Sequence, residues 1–205
     1  MMADMEKLRD GVRRSLPEVE RIQDTNLRDK VVEAWVLSLS TSEFAAIEEI
    51  PASGNPDTPP MTRGDQSQHI RGVARMAVAM ADELEELLGP MGIDRDILWA
   101  AALCHDVGKP YEFSYRNQDR WRENPGAAGY PAIRHSVYGV HVALTVGLPE
   151  AVAHACGAHS SEGELIYRSL ENNLVHFADY AFWSSLEKAG LLGLDKAEQL
   201  KKKGS

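Results

Sequence analysis

The chain has 205 residues, which suits one domain with a proper core better than two. Apolar residues make up 43% and charged residues 26%, the profile of an ordinary globular protein, and no apolar run approaches the roughly 20 residues of a membrane-spanning helix. A net charge of -9 argues against a broad basic face for extended DNA or RNA, although a metal centre with a few basic groups still allows a small anionic substrate.

From the N-terminus, MMADMEKLRDGVRR has no apolar core of the kind a secretory signal requires, so a cytoplasmic location is expected. The segment from Asp24 opens with capping-type residues and sets Leu27, Val31, Ala34, Trp35 and Leu39 on one helical face. Residues 51–66 carry four prolines and two glycines and read as a loop between an N-terminal arm and the main body. Ser67 to Leu88 keeps a period near 3.6 through Ile70, Val73, Met76, Ala77, Met80, Leu84 and Leu87, which predicts a long amphipathic helix. After Gly89, Pro90 and Gly92, Asp94 begins a buried helix, DRDILWAAALCHDV, stopped by Gly108 and Pro110.

Residues 111–132 read as a long loop rich in aromatic residues and arginine, and helices are expected over 133–146, 149–157 and 169–186. The C-terminal AEQLKKKGS is expected to be a short polar helix running into a solvated tail. No strand and no repeat is expected, so the class is all-α. Cys104 and Cys156 lie in apolar helical stretches, where a packed thiol is a better reading than a disulfide.

His105-Asp106 ends the buried helix, and an adjacent ionisable pair is costly there unless something compensates it. A divalent cation is the natural compensation, and mixed imidazole and carboxylate donors point to a transition metal. His69 in the first turn of the long helix, His135 at a helix start, His159 just past a helix and Asp179 inside another offer further donors from separate segments. Helical bundles assemble metal sites in this way.

The strings HIRGVARMA, ALCHDVGK, RHSVYGVHVAL and VHFADY, in that order over roughly residues 65–185, resemble the successive motifs of the HD superfamily. The resemblance implies a compact helical HD-domain fold around a metal centre, set over 67–190; apart from it, 1–66 is expected to pack on that core as an arm and loop and 191–205 to form a polar tail. It implies one ion on His69, His105, Asp106 and Asp179, and a second on His135 and His159 bridged by Asp106. The ions would be divalent or mixed-valent Fe, Mn, Co, Ni or Zn. Two cations a few ångströms apart acidify a bridging water and polarise a phosphoryl oxygen. The expected activity is therefore hydrolysis of a small phosphorylated metabolite (a nucleotide, dinucleotide or cyclic phosphodiester) by metal-bound hydroxide.

Asp106 and Lys109 are the expected catalytic residues, with Lys109, Arg116, Arg120 and Arg134 on the substrate phosphate. Tyr115 or Trp121 would stack on a base, cover the site or serve a homodimer contact. His176 reads equally as a partner of Asp179 or as a packing residue, His141 and His154 as structural, and Glu162 as an exposed loop carboxylate. The alternatives are a di-iron oxygenase resembling the oxidative branches of the superfamily, and a catalytically idle nucleotide-binding module. HDVGK and ADY look closer to the hydrolase branches.

Overall fold

The structure, a computed structural model, describes residues 2–193. Ten α-helices make it up: α1 (Met2–Ser15), α2 (Thr25–Ser40), α3 (Gln66–Leu88), α4 (Arg95–Cys104), α5 (Lys109–Phe113), α6 (Tyr115–Glu123), α7 (Pro125–Ala128), α8 (His135–Thr145), α9 (Glu150–Ala158) and α10 (Leu170–Lys188). Among the described residues there is no strand, only an isolated bridge between Met61 and Leu192. The expected polar C-terminal helix lies outside the described residues. No described helix is long and apolar enough to cross a membrane.

The helix starts follow from their caps. The Asp24 carboxylate accepts from the amides of Asn26 and Leu27 to open α2, Asp65 accepts from Gln68 to open α3, and Asp94 accepts from Asp96 and Ile97 to open α4. Gly89, at φ 88°, ends α3 in a conformation that a side chain would resist.

Helix α4 is the hub. It is buried by α3, α9, α10 and α2, with Leu98, Ala100, Ala101, Ala102 and Leu103 fully enclosed. Four of its residues from 98 to 104 are alanine or cysteine, and small side chains let the neighbouring helices approach closely. Val31, Val32, Ala34, Trp35 and Val36 of α2 share this same apolar core.

Two expectations need correction. The helix expected to run through Val107 stops at Cys104, and residues 105–108 form turns. The carbonyls at this end are taken by other partners: Ala102 by His105 Nδ1 (2.7 Å), Leu103 by Trp35 Nε1 (2.9 Å), Cys104 by the Val107 amide (2.9 Å) and Cys156 Sγ (3.2 Å), and Val107 by Ser38 Oγ (2.5 Å). Orphan acceptors at a helix end need such partners, and here they come from α2 and α9 as well as from the turn itself.

The long loop expected over 111–132 instead contains most of α5 and all of α6 and α7. Gln118 and Trp121, three residues apart, form a narrow buried face on α6, while its remaining side chains are polar or charged and mask the apolar period.

Candidate metal centre

The HD turn, α3, α8, α9 and α10 bring the six expected ligands together. Asp106 stands between them, 2% exposed. Its Oδ2 lies 3.1 Å from His69 Nε2 and 3.4 Å from His105 Nε2. Its Oδ1 faces the other way, 3.4 Å from His135 Nε2 and 3.7 Å from His159 Nε2. Asp179 Oδ1 joins the first group, 3.4 Å from His69 Nε2. The sets His69/His105/Asp106, His105/His159/Asp179 and Asp106/His135/His159 each place their donor atoms within 4.8 Å of one another, close enough to hold a metal ion.

Three of the four inward imidazole nitrogens have a reason to point inward. His105 Nδ1 donates to the Ala102 carbonyl, His159 Nδ1 to the carbonyls of Ala155 (3.1 Å) and Cys156 (3.0 Å), and His135 Nδ1 to Glu112 Oε2 (2.5 Å). A proton fixed on Nδ1 leaves a lone pair on Nε2, so three rings turn lone pairs toward a carboxylate. A cation satisfies that array, whereas another acceptor does not. Burial lowers His159 to about 3, which keeps it a neutral donor. Buried Asp179 Oδ1 accepts no hydrogen bond from the protein, as a waiting ligand atom would. Four imidazoles and two carboxylates suit Mn, Fe, Co, Ni or Zn, so the residues present fit a transition metal.

Asp106 stays ionised despite its burial. Burial alone would raise it, but the Lys109 ammonium and His105 and His69 hold it well below the ordinary carboxylate range. Lys109 Nζ sits 2.9 Å from Asp106 Oδ2, where Gln66 Nε2 also donates at 2.8 Å. Lys109 also donates to the Ser53 carbonyl at 2.5 Å and lies over the rings of Phe113 and Trp183. It is 1% exposed, so it belongs to the centre and is not a solvated helix-end charge.

The other sequence candidates divide. Arg134 lines the same pocket of about 180 Å³, which Gly54, Asn55, Ser160, Ser161, Tyr180 and Trp183 complete. Its guanidinium already binds Glu112 and, at 2.6 Å, Glu162 Oε1. Arg116 and Arg120 do not line this pocket; both are exposed on α6, and Arg120 donates to Asn117 and lies over Trp121. Trp121 is buried against Tyr111 and offers no free face to a ligand, while Tyr115 is exposed beside Phe44.

Glu162 is only part-exposed, bridged by Arg134 and by Ser160 Oγ at 2.5 Å, and those bonds offset burial to lower it to about 2. His176 Nδ1 donates to the His159 carbonyl at 2.5 Å, so it steadies the turn that carries that ligand. His141 is exposed, and His154 Nε2 accepts from the Ser169 amide. Both cysteines are buried free thiols, which burial pushes up, Cys156 to about 12.

Sequence reasoning missed Glu112, Gln66 and Ser53. Glu112 is fully buried and accepts from the His135 amide, from its ring and from Arg134. Burial opposes its ionisation, but His135 and Arg134 lower it nonetheless. The available signal was its place, two turns past the HD pair, as a carboxylate in a stretch of aromatics.

A profile of the HD domain matches residues 67–182. A dihydroneopterin 2',3'-cyclic phosphate phosphodiesterase of Methanocaldococcus jannaschii is 30% identical over 168 residues, covering 79% of this chain and 65% of that relative. The chain thus spans about two thirds of the relative's length. No solved structure matches the chain.

Proposed function

The chain belongs to the HD domain family, and on that premise we propose that it is a metal-dependent hydrolase of phosphate esters, with two transition-metal ions and a small phosphorylated substrate. The observation that carries this reading is the division of Asp106, with Oδ2 toward His69 and His105 and Oδ1 toward His135 and His159. A carboxylate with two occupied faces suits a bridge. Asp179 would complete the first position.

Two ions held there would supply Lewis acidity and an acidified water. The residues of the chain do the rest. Lys109 keeps Asp106 ionised and, as one of the residues lining the pocket, would offer its charge to a phosphoryl oxygen. Asn55, Ser160 and Ser161 line the pocket as further hydrogen-bonding groups, and Tyr180 and Trp183 supply aromatic surface for the organic part of the substrate. The volume of about 180 Å³ favours a compact substrate over a long polymer. The relative's printed substrate makes a cyclic phosphodiester the first class to test. Two buried free thiols are compatible with a reducing compartment such as the cytoplasm.

The test is metal analysis of the purified chain together with product assays on 2',3'-cyclic phosphates, nucleotides and dinucleotides. The expected result is two metal equivalents and anaerobic hydrolysis in the presence of manganese, cobalt or iron. Asp106→Ala should lose both ions and all turnover, whereas His159→Ala should mainly empty one position. An iron-loaded protein that consumes oxygen and hydrolyses no ester would replace this reading with the oxygenase one. Full metal content in Asp106→Ala would remove the site assignment itself.

A further inference from the structure

On the opposite side of α3 from His69 lies a second cavity, of about 730 Å³, between that helix, the turn Pro17–Arg21 and Trp99 of α4. At about 100° per residue, Arg71 lies about 200° and Arg75 about 240° around the helix from His69, so the two sites share α3 but not a face. Its volume falls in the range of small-molecule sites.

Five charged side chains line this groove: Arg21, Arg71, Arg75, Glu18 and Asp82. Both carboxylates are already engaged. Arg71 Nε donates to Glu18 at 2.9 and 3.1 Å, and Arg95 holds Asp82 at 2.9 Å from the neighbouring helix. Arg71 makes these bonds through Nε alone, which leaves its two terminal nitrogens available. No side-chain hydrogen bond or ion pair engages Arg21 or Arg75 among the described residues. The groove therefore presents uncompensated positive charge on a chain whose net charge is -9. Its wall includes Val78, Ala79 and the half-buried indole of Trp99.

We propose that this groove is a second ligand site, separate from the metal centre, for a nucleotide-class molecule with a polyphosphate and a planar ring. Arg21, Arg75 and the outer nitrogens of Arg71 would take the phosphates, since guanidinium forks match phosphate oxygens in geometry and charge. Trp99 and the apolar wall would take the ring. The site does not depend on the catalytic reading, because none of its residues is a metal ligand or lines the metal pocket.

Titration calorimetry on the full metal-loaded chain tests the assignment, with a non-hydrolysable triphosphate, adenylyl imidodiphosphate, and with inorganic pyrophosphate as probes. Saturable binding of the nucleotide is expected, weaker for pyrophosphate. Exposed Arg21 and Arg75 can be changed with little risk to the fold, and Arg21→Ser with Arg75→Ser should weaken the nucleotide about tenfold or more, the loss expected from two phosphate contacts. Metal content and hydrolysis should stay unchanged in that variant. Trp99→Leu should bring the nucleotide's affinity down to that of pyrophosphate, with circular dichroism confirming the fold. No saturable binding at millimolar probe, or binding that survives the double variant and is instead lost with Arg134→Ala at the metal pocket, would overturn the proposal.

Discussion

At the scale of single residues, the centre depends on groups that touch the ligands from behind. Glu112 is the clearest. It fixes the His135 ring through Nδ1 and ties the same carboxylate to Arg134, whose Nε reaches Glu162 and through it Ser160, next to His159. One arginine thus links the supports of both histidines facing Asp106 Oδ1. Arg134 is on this geometry a strut before it is a phosphate receptor, because two carboxylates already occupy it. Glu112→Gln keeps the shape but replaces one acceptor oxygen with a donor amide that His135 Nδ1–H cannot use. Affinity for the second metal equivalent should fall about 10- to 100-fold, while the first equivalent stays; equal loss of both equivalents in a metal titration would refute that division of labour. Glu162 gives a pH signature. Its carboxyl is lowered from 4.5 to about 2 in the folded state, so the unfolded chain binds the proton first as pH falls. The stability it contributes is complete above about pH 4.5 and is lost as pH drops through about 2. Glu162→Gln should therefore show a shallower fall in thermal midpoint between pH 4.5 and 2 than the parent, and parallel curves would contradict the assignment. The six clustered side chains were legible in the sequence as candidates because imidazole and carboxylate are rare inside apolar helices. Glu112 was not, since one acid in a stretch read as an aromatic-rich loop looks solvated until α8 covers it.

At the scale of elements, the site depends on α4 stopping where it does. The turn 105–108 aims His105 and Asp106 inward, and α5 then leaves against α8 at very short range. Gly108 permits that approach: a Cβ there would lie 2.0 Å from the His135 carbonyl oxygen and 2.7 Å from the Gly139 amide nitrogen. Neither neighbour is the flexible end of a side chain. Gly108→Ala should cost about 3 kcal/mol or more, the upper end for overpacking, and should lower metal affinity by moving α8 and His135. A denaturant midpoint and metal titration within error of the parent would show that the backbone gives way more easily than this. The sequence signalled a break at Gly108 and Pro110 but assigned it only to helix termination. The close contact joins residues about 30 positions apart, and no local pattern carries it. The same holds for α6, whose helical face has only two buried members, Gln118 and Trp121.

At the scale of the whole molecule, the first 50 residues are built into the centre's support. Trp35 and Ser38 of α2 bond the Leu103 and Val107 carbonyls on either side of the HD pair, and seven buried apolar residues of α2 lie in the core. A chain reduced to residues 51–205 should keep helical far-ultraviolet circular dichroism yet lose its cooperative thermal transition and its metal, because carbonyls and apolar surface beside Asp106 would be uncovered. A cooperative, metal-binding fragment would show that the region matched by the family profile stands alone. By itself the sequence determined the all-α class, the principal helices and which histidines and aspartates to look for as a cluster, since periodicity, caps and buried ionisable residues are local properties written residue by residue. Tertiary structure alone decided which oxygen of Asp106 faces which histidines, that Lys109 is buried, that Arg134 is occupied while Arg116 and Arg120 point away, and that an arginine-lined groove opens behind α3. Each of these depends on distances between segments far apart in the chain, and such distances exist only once the helices have packed.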